Sequence, residues 1–395
     1  MSKEIFKKAN EIKDYVTQLR RHIHKYPELG FQEYETTKLI KKELESYGVE
    51  VLALDIPTGA VGILKGMKDG PDTVTAIRAD IDALPIVEKT GLEYASVNEG
   101  IMHACGHDGN TAILLGTAKL LSRMTDQFSG TVKFIFQPAE ETLKGAKAMI
   151  EAGALENPKV DSMVALHAWA YLPAGVIGKW KGAYHASADS FSIKIIGESG
   201  HGSRPHEQSD SLLTAAHIVV GLQNIVSRQI SALESAVLSV CTFNGGTAVN
   251  VIPQSVNLTG TVRTHSKEIR ESMPNKMEKI IKNTAEAFGC EYEFIYDWGV
   301  PRTFFDPEIV DIFTEGIVEA VGEDYVTDLP GPHMGSEDFA LFNEKIPFSA
   351  LFRLGNANPN GEVIPTHSDI FNFNDDAIPY GITAFTQFVL KKHNY

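Results

Sequence analysis

Three continuous apolar runs, at residues 73–77, 131–136 and 162–166, do most to constrain how this chain can fold. Each reads as a continuous apolar strand buried on both faces. The first two are separated by residues 111–124, which are helical in pattern. Buried strands alternating with helices predict a largely parallel, helix-covered α/β sheet. Each run also ends in residues able to hold a ligand. The first leads into Arg78-Ala79-Asp80-Ile81-Asp82, the second into Glu140-Glu141 through Gln137-Pro138-Ala139, and the third into His167. Open α/β sheets bind ligands beyond the carboxyl ends of their strands. Three such endings point to one site.

The remaining pattern divides the chain. Ile5, Ile12, Tyr15, Val16, Leu19 and Ile23 recur at helical spacing until Pro27, and a second helix over about 34–47 stops at Gly48. Strands over 49–54 and 61–64 follow, joined through Pro57-Thr58-Gly59. Near residue 186 the character changes. A half-buried strand (189–196), a helix (211–230), strands at 236–243 and 256–264, a helix (268–288) and a strand (291–296) give the β-α-β-β-α-β order of a ferredoxin-like unit. After Pro301 the α/β pattern returns, with a helix at 307–321, a strand at 348–352 and a closing helix at 376–392. A chain of 395 residues exceeds one ordinary core. The expected architecture is a catalytic α/β domain (1–185 and 299–395) interrupted by an inserted α+β domain (186–298).

Composition narrows the function classes. A formal net charge of −15, from 51 acidic residues against 36 Lys plus Arg, argues against nucleic-acid or anionic-membrane binding. No apolar stretch approaches the roughly 20 residues of a membrane helix. The first residues, Met1-Ser2-Lys3-Glu4-Ile5-Phe6-Lys7-Lys8, lack the apolar core of a signal peptide. Cys105, Cys241 and Cys290 form no disulfide framework, so a reducing cytoplasm is expected. Cys241 and Cys290 read as small buried hydrophobes.

The chemistry concentrates in Met102-His103-Ala104-Cys105-Gly106-His107-Asp108 and in Glu140-Glu141. Cys-Gly-His brings a thiolate and an imidazole together around a glycine turn, as a metal site requires. Adjacent carboxylates at the end of a buried strand repel and are costly to desolvate, so the pair calls for a cation. In isolation a Glu-Glu is more often two surface acids, and a Cys beside a helix-capping Asp is as often structural. His167 at a strand end and His367 in the polar loop Ile364-Pro365-Thr366-His367-Ser368 are further candidates. Together with Cys105, His107 and Glu141 they make five ligands. That is too many for one tetrahedral ion that also activates water, so two ions fit better.

These motifs, with Arg78–Pro85, Gly245–Pro253 and Gly335-Ser336-Glu337-Asp338-Phe339, resemble the aminoacylase-type metallopeptidases, in the branch of hippurate hydrolases and plant indole-acetyl-amino-acid hydrolases. The resemblance runs from Arg20-Arg21-His22-Ile23-His24-Lys25-Tyr26-Pro27-Glu28 to the last helix. It implies a phosphorylase/hydrolase-like catalytic α/β domain with an inserted ferredoxin-like lid and dimerisation domain. It also implies that Cys105, His107, Glu141, His167 and His367 hold two divalent ions, with Glu140 as general base and Asp80 supporting the ligands. The ions would be manganese or zinc, with nickel and cobalt also compatible. The wider family's His-x-Asp is here Asp80-Ile81-Asp82, which shifts ligand duty onto Cys105 and His107.

By the same resemblance, His201 in Gly200–His206 steadies the oxyanion, often from the partner subunit of a homodimer formed through the inserted domain. Asn250, Arg263, Gly335 and Ser336 would hold the substrate. An Arg on an exposed strand and a pair of histidines around a Gly-Ser turn are otherwise ordinary surface polarity. Hinges are expected near Ala183–Ala186 and Trp298–Pro301. His22, His24, His185, His265 and His393 read as structural or surface residues, and Arg20-Arg21 as a solvated or packing face. The expected function is hydrolysis of the amide of N-acyl-L-amino acids by metal-activated water. Deacetylation of N-acetyl-diaminopimelate and dipeptide hydrolysis are the alternatives within the enzyme class. A catalytically silent metal-dependent binding protein is the alternative outside it.

Overall fold

The computed structural model describes residues 2–358 and 360–394, and the chain divides into two compact units. One unit comprises the chain up to Gly182, Phe304–Gly331, and the chain from Asp338 onward. The other comprises Ala183–Thr303 and Pro332–Glu337.

The first unit is built on an eight-stranded sheet. Its order is Glu50–Val51, Ala60–Lys65, Thr131–Gln137, Val74–Asp80, Ser162–Trp169, Ser349–Gly355, Ile177–Lys179, Val326–Asp328. The central four strands run parallel and every residue of Val74–Asp80, Thr131–Gln137 and Ser349–Gly355 is buried. The sheet is mixed, however, rather than largely parallel. Glu50–Val51 pairs antiparallel with Ala60–Lys65, which pairs antiparallel with Thr131–Gln137, and Ile177–Lys179 runs antiparallel to Ser349–Gly355. The connection from Val51 to Ala60 is too short for a helical crossover, so those strands can only form a hairpin.

The helix His107–Leu121 supplies the crossover between two central strands, and every one of its residues except Lys119 is buried. Its Gly116 lies against Val16 of the helix Lys13–Lys25 and Ile382 of the helix Ile378–Lys392. This sandwiching fixes the helix N-terminus, and with it His107. The apolar pattern over 5–23 is two helices, Ser2–Glu11 and Lys13–Lys25, because Ile12 leaves helical geometry with φ −105° and ψ 2°. The run 49–54 contributes only Glu50–Val51 to the sheet.

The second unit has a four-stranded antiparallel sheet, in the order Ala236–Asn244, Ser255–Thr264, Ala188–Ile196, Glu291–Val300. The helices Ser211–Asn224 and Lys267–Ala287 share a core with it. Phe191, Ile193, Ile195, Val256 and Leu258 meet Ile218, Leu222, Met273, Met277 and Ile281. The first of these helices ends at Asn224 and continues as a π turn over Ile225–Gln229, where a single helix to 230 is expected from sequence. Cys290 is buried, but Cys241 is exposed, because that end of its strand lies beyond the packed core. Among the described residues no helix is long and apolar enough to cross a membrane.

Candidate active site

The carboxyl ends of Val74–Asp80, Thr131–Gln137 and Ser162–Trp169, the N-terminus of His107–Leu121 and the loop carrying His367 converge in the first unit. Three overlapping groups of ligand atoms result: Cys105, His107 and His167; Cys105, Glu141 and His367; and His107, Glu140 and Glu141. Within each group the atoms lie no more than 4.8 Å apart. Cys105, His107 and Glu141 each belong to two of the groups.

Local backbone chemistry explains how these side chains reach one place. Gly106 precedes the helix with φ 87°, and a Cβ there would stand 2.6 Å from that of Ala168. Only glycine allows both that turn and that approach, which turns Cys105 and His107 toward the same space. Across the sheet, Ala139 and Leu143 adopt left-handed conformations (φ 52° and 56°) on either side of the short turn Glu140–Thr142. That turn is what lets two adjacent glutamates face one centre instead of opposite sides of a strand. His367 is likewise left-handed, at φ 67°, and its N–H donates to Ala104 at 2.7 Å.

Hydrogen bonds decide which imidazole nitrogen faces the site. His107 Nδ1 lies 2.9 Å from the carbonyl of Asp82, and His167 Nδ1 lies 2.9 Å from the carbonyl of Ala168. A carbonyl can only accept, so each Nδ1 carries a proton and each Nε2 faces inward, where it offers a lone pair once the ring is neutral. His167 Nε2 stands 3.6 Å from Cys105 Sγ. His107 Nε2 is 3.8 Å from Asp80 Oδ1 and 3.9 Å from both Glu140 Oε2 and Glu141 Oε1. His107 Nε2 and Glu141 Oε1 are buried and make no hydrogen bond among the described residues. His367 Nε2 approaches Glu141 Oε1 at 3.4 Å without hydrogen-bond geometry, and its side chain stays half exposed. Orphaned buried atoms of this kind, set among a thiolate, imidazoles and a carboxylate, are the donor set a divalent cation fills.

The electrostatics say the same. Burial would push the Cys105 thiol up, yet His167 and His107 bring it down to about 6. His107 is held well above its ordinary value: burial opposes its charge, but Asp80 and the Cys105 sulfur prevail. The Cys105 sulfur, first, and the Glu141 carboxylate, both close to its ring, raise His367 to about 10. Burial raises Glu141, but His367 and His107 outweigh it and hold the carboxyl below its usual range. Negative ligands are thus balanced by imidazole protons in a place where a metal ion would otherwise supply the charge.

Around this centre lies a buried frame. Arg78, fully buried, donates to Asp80 at 2.7 Å, to Gln137 at 2.7 Å and to Asp338 at 3.2 Å. Asp338 also takes N–H groups of Gln137 (2.8 Å) and Ala146 (2.9 Å). Asp80 further accepts from Asn110 Nδ2 at 2.7 Å; burial disfavours its charge, but His107 and Arg78 hold it well below the ordinary carboxylate range.

Sequence reasoning passed over several members of this frame. Asp82 accepts the Glu141 N–H at 3.0 Å while its carbonyl and carboxylate face His107 Nδ1; its place in Asp80-Ile81-Asp82 was the available signal. Asp338 sits within the quoted Gly335–Phe339 motif. Arg20 is no solvated face: it is fully buried, 3.2 Å from Asp108 and 2.9 Å from Asp375, and only Arg21 beside it is exposed. His24 is buried too, with Nδ1 2.9 Å from Asp108 and Nε2 3.3 Å from Glu88.

The remaining expected residues, His201, Asn250, Arg263, Gly335 and Ser336, belong to the second unit. His201 lies on the two-residue strand Gly200–His201, paired with Val251–Ile252, and is exposed. Its Nδ1 accepts the Ser203 N–H at 3.1 Å, which leaves the neutral ring's proton on the outward Nε2. Asn250, exposed, accepts the Gly202 N–H through its carbonyl at 2.8 Å. Arg263 is half-buried on Ser255–Thr264, and Gly335 donates its N–H to His333 Nδ1 at 2.9 Å.

The chain is similar to known proteins over most of its length. The model of peptidase family M20/M25/M40 matches residues 76–391. An N-acyl-L-amino acid amidohydrolase of Geobacillus stearothermophilus is 45% identical over 301 residues, covering 76% of this chain and 80% of its own. An N-acetylcysteine deacetylase of Bacillus subtilis is 44% identical over 332 residues, covering 83% and 85%. The crystal structure of the Bacillus subtilis YXEP protein, described as a dinuclear metal-binding peptidase of the M20 family, superposes with a TM-score of 0.85 at 36% identity, over 97% of this chain and 99% of its own. A cluster of side chains able to hold a metal ion at the strand ends of an α/β unit and a family match over most of the length lead to one conclusion: the chain belongs to peptidase family M20/M25/M40 and is an amide-cleaving hydrolase.

Proposed function

We propose that the chain hydrolyses N-acyl-L-amino acids of the hippurate or N-acetyl type at a di-metal centre held by Cys105, His107, Glu141, His167 and His367, with Glu140 as general base. One observation carries the reading: two imidazoles locked with their Nε2 atoms inward share a buried space with Cys105, Glu141 and Glu140. Divalent ions bound there, whether manganese, zinc, nickel or cobalt, would acidify water and polarise the scissile carbonyl.

The chain's own groups do the rest. Glu140, buried beside His107, takes a proton from the attacking water and returns it to the leaving amine. Asp80, fixed by Arg78 and Asn110, keeps His107 charge-matched and oriented. The second unit, read as a ferredoxin-like lid and dimerisation domain spanning 186–298 between the two segments of the catalytic domain (1–185 and 299–395), would bring His201 to the oxyanion from the partner subunit of a homodimer. The outward Nε2–H of His201 suits that duty. Arg263, Asn250 and the backbone of Gly335-Ser336 would hold the substrate carboxylate and amide. The compartment consistent with three free cysteines is the cytoplasm.

The test is release of free amino acid from acetyl-, benzoyl- and indole-acetyl-amino acids, N-acetyl-diaminopimelate and dipeptides, with manganese or zinc added and bound metal quantified. Turnover of N-acyl-amino acids above dipeptides is the expected result. Turnover of dipeptides alone, or of no member with ions bound, would overturn the proposal.

A further inference from the structure

The turn that carries Glu140 is held at Ala139 by a side chain 106 residues earlier in the chain, one that the reaction itself does not use. Glu33 occupies the position just before the helix Tyr34–Ser46, where an acidic side chain would ordinarily cap the first free N–H groups. It makes no such bond. Glu28 does so instead, accepting from Glu35 N at 3.1 Å and from Thr36 N at 2.8 Å. Freed from capping, the Glu33 carboxyl is fully buried, and its Oε1 accepts the N–H of Ala139 at 2.9 Å.

Ala139 is the residue immediately before Glu140, and it sits in the left-handed region at φ 52° and ψ 39°. An alanine disfavours that conformation and needs its surroundings to impose it. The surroundings close in on both sides. A Cβ on Gly30 would stand 3.0 Å from Ala139 Cα, and one on Gly59 would stand 2.8 Å from Pro138 Cδ. Gly59 is in turn tied by its N–H to Thr37 Oγ1 at 2.8 Å, on the same helix that Glu33 precedes. At its other end the same peptide packs its Pro138 carbonyl closely against Gly145, where a Cβ would stand 1.6 Å from that oxygen. The Glu33 acceptor specifies which way the Ala139 N–H points, and so the direction in which the next side chain leaves the backbone.

We propose that Glu33 is a positioning residue for the general base: by accepting the Ala139 N–H it keeps that residue left-handed and aims Glu140 into the active site. The inference rests on the reading of Glu140 as the base. Burial pushes the Glu33 carboxyl up to about 7, so an uncharged amide of the same shape is a fair substitute for it.

The experiment compares Glu33→Gln, Glu33→Met and Glu33→Asp in the full-length, metal-loaded protein, with Glu140→Gln alongside. Gln keeps an acceptor within reach, Met keeps the volume without one, and Asp keeps the carboxylate but withdraws it. The expected result is near-normal kcat for Gln and a loss of about 10- to 100-fold for Met and Asp, with KM and bound metal little changed. Asp supplies the reading if the Met variant does not fold. Equal kcat in all three, or losses that follow metal content or folded fraction, would overturn the role of Glu33. A normal kcat in Glu140→Gln would instead overturn the base assignment, so the two failures are distinguishable.

Discussion

Asp82 accepts the N–H of Glu141 at 3.0 Å and, through its carbonyl at 2.9 Å, faces Nδ1 of His107. One residue thereby orients two of the groups that converge on the site, from opposite sides. Partners of this kind fix ring orientation and tautomer, and their loss typically weakens metal binding by about 10- to 100-fold. Asp82→Ala leaves that carbonyl in place but removes the carboxylate that accepts the Glu141 N–H and lies 3.2 Å from His107 Nδ1, and it is expected to lower metal affinity toward that range, read by competition with a chelating indicator. Unaltered affinity would mean that the helix N-terminus and the Glu140–Thr142 turn hold those groups without it.

Glu140→Gln keeps the shape of the side chain and removes its capacity to take a proton. Because Glu140 is only one of several anions around His107, bound metal should remain near its normal level while kcat falls by about 100-fold or more. Metal content and single-turnover rate, measured on the same sample, separate the two effects.

What could be read from sequence, and what could not, follows from the range of the interactions involved. The strand runs at 74–80, 131–137 and 162–169 are local patterns, and so are Cys105-Gly106-His107 and Glu140-Glu141, whose members the fold brings together. His367 could be nominated only by its residue type, since its left-handed backbone and its bond to Ala104 arise from tertiary structure. Arg20 could be read only as part of a solvated or packing face, because its partners Asp108 and Asp375 lie 88 and 355 residues away. The break at Ile12 and the π turn at Ile225–Gln229 were hidden for a related reason: apolar spacing continues through both while the backbone does not.

His24 carries a pH signature that sequence alone would not suggest. Burial lowers its basicity, but hydrogen bonds to Asp108 and Glu88 overcome this and raise it from 6.5 to about 9. A raised imidazole stabilises the fold fully below its unfolded value near 6.5, and the contribution fades as pH climbs through about 9. The difference is on the order of 3 kcal/mol. Denaturation midpoints should therefore decline across that alkaline window, and His24→Gln should flatten the decline while lowering stability at pH 6. An unchanged slope in the variant would assign it to other groups.

Metal binding should release protons. At pH 7 His367, raised to about 10, holds its charge, His107 is pushed in the same direction, and Cys105, brought to about 6, is already largely thiolate. A cation can bond only to unprotonated imidazole nitrogens, so loading the site displaces those protons. Titration of the metal-free protein with zinc or manganese, in buffers of different ionisation enthalpy, should show an apparent heat that depends on the buffer. His367→Ala should reduce that dependence. A heat independent of buffer would show that the imidazoles enter the reaction already neutral.

The final prediction concerns His201, whose Nδ1 is committed to the Ser203 N–H and whose neutral ring carries its proton on Nε2. If that proton steadies the oxyanion, His201→Ala should lower kcat by about 100-fold while leaving KM and metal content near normal. If the histidine also comes from the partner subunit, one inactive protein can repair another. Mixing His201→Ala with Glu140→Gln under conditions of subunit exchange would create hybrids in which one site has both an intact Glu140 and an intact His201. Activity should then rise from near zero toward about a quarter of normal, since half the dimers are hybrids and each hybrid has one complete site. Recovery would establish both the assembly and the shared site. A mixture no more active than its parts, with exchange verified independently, would confine His201 to its own subunit.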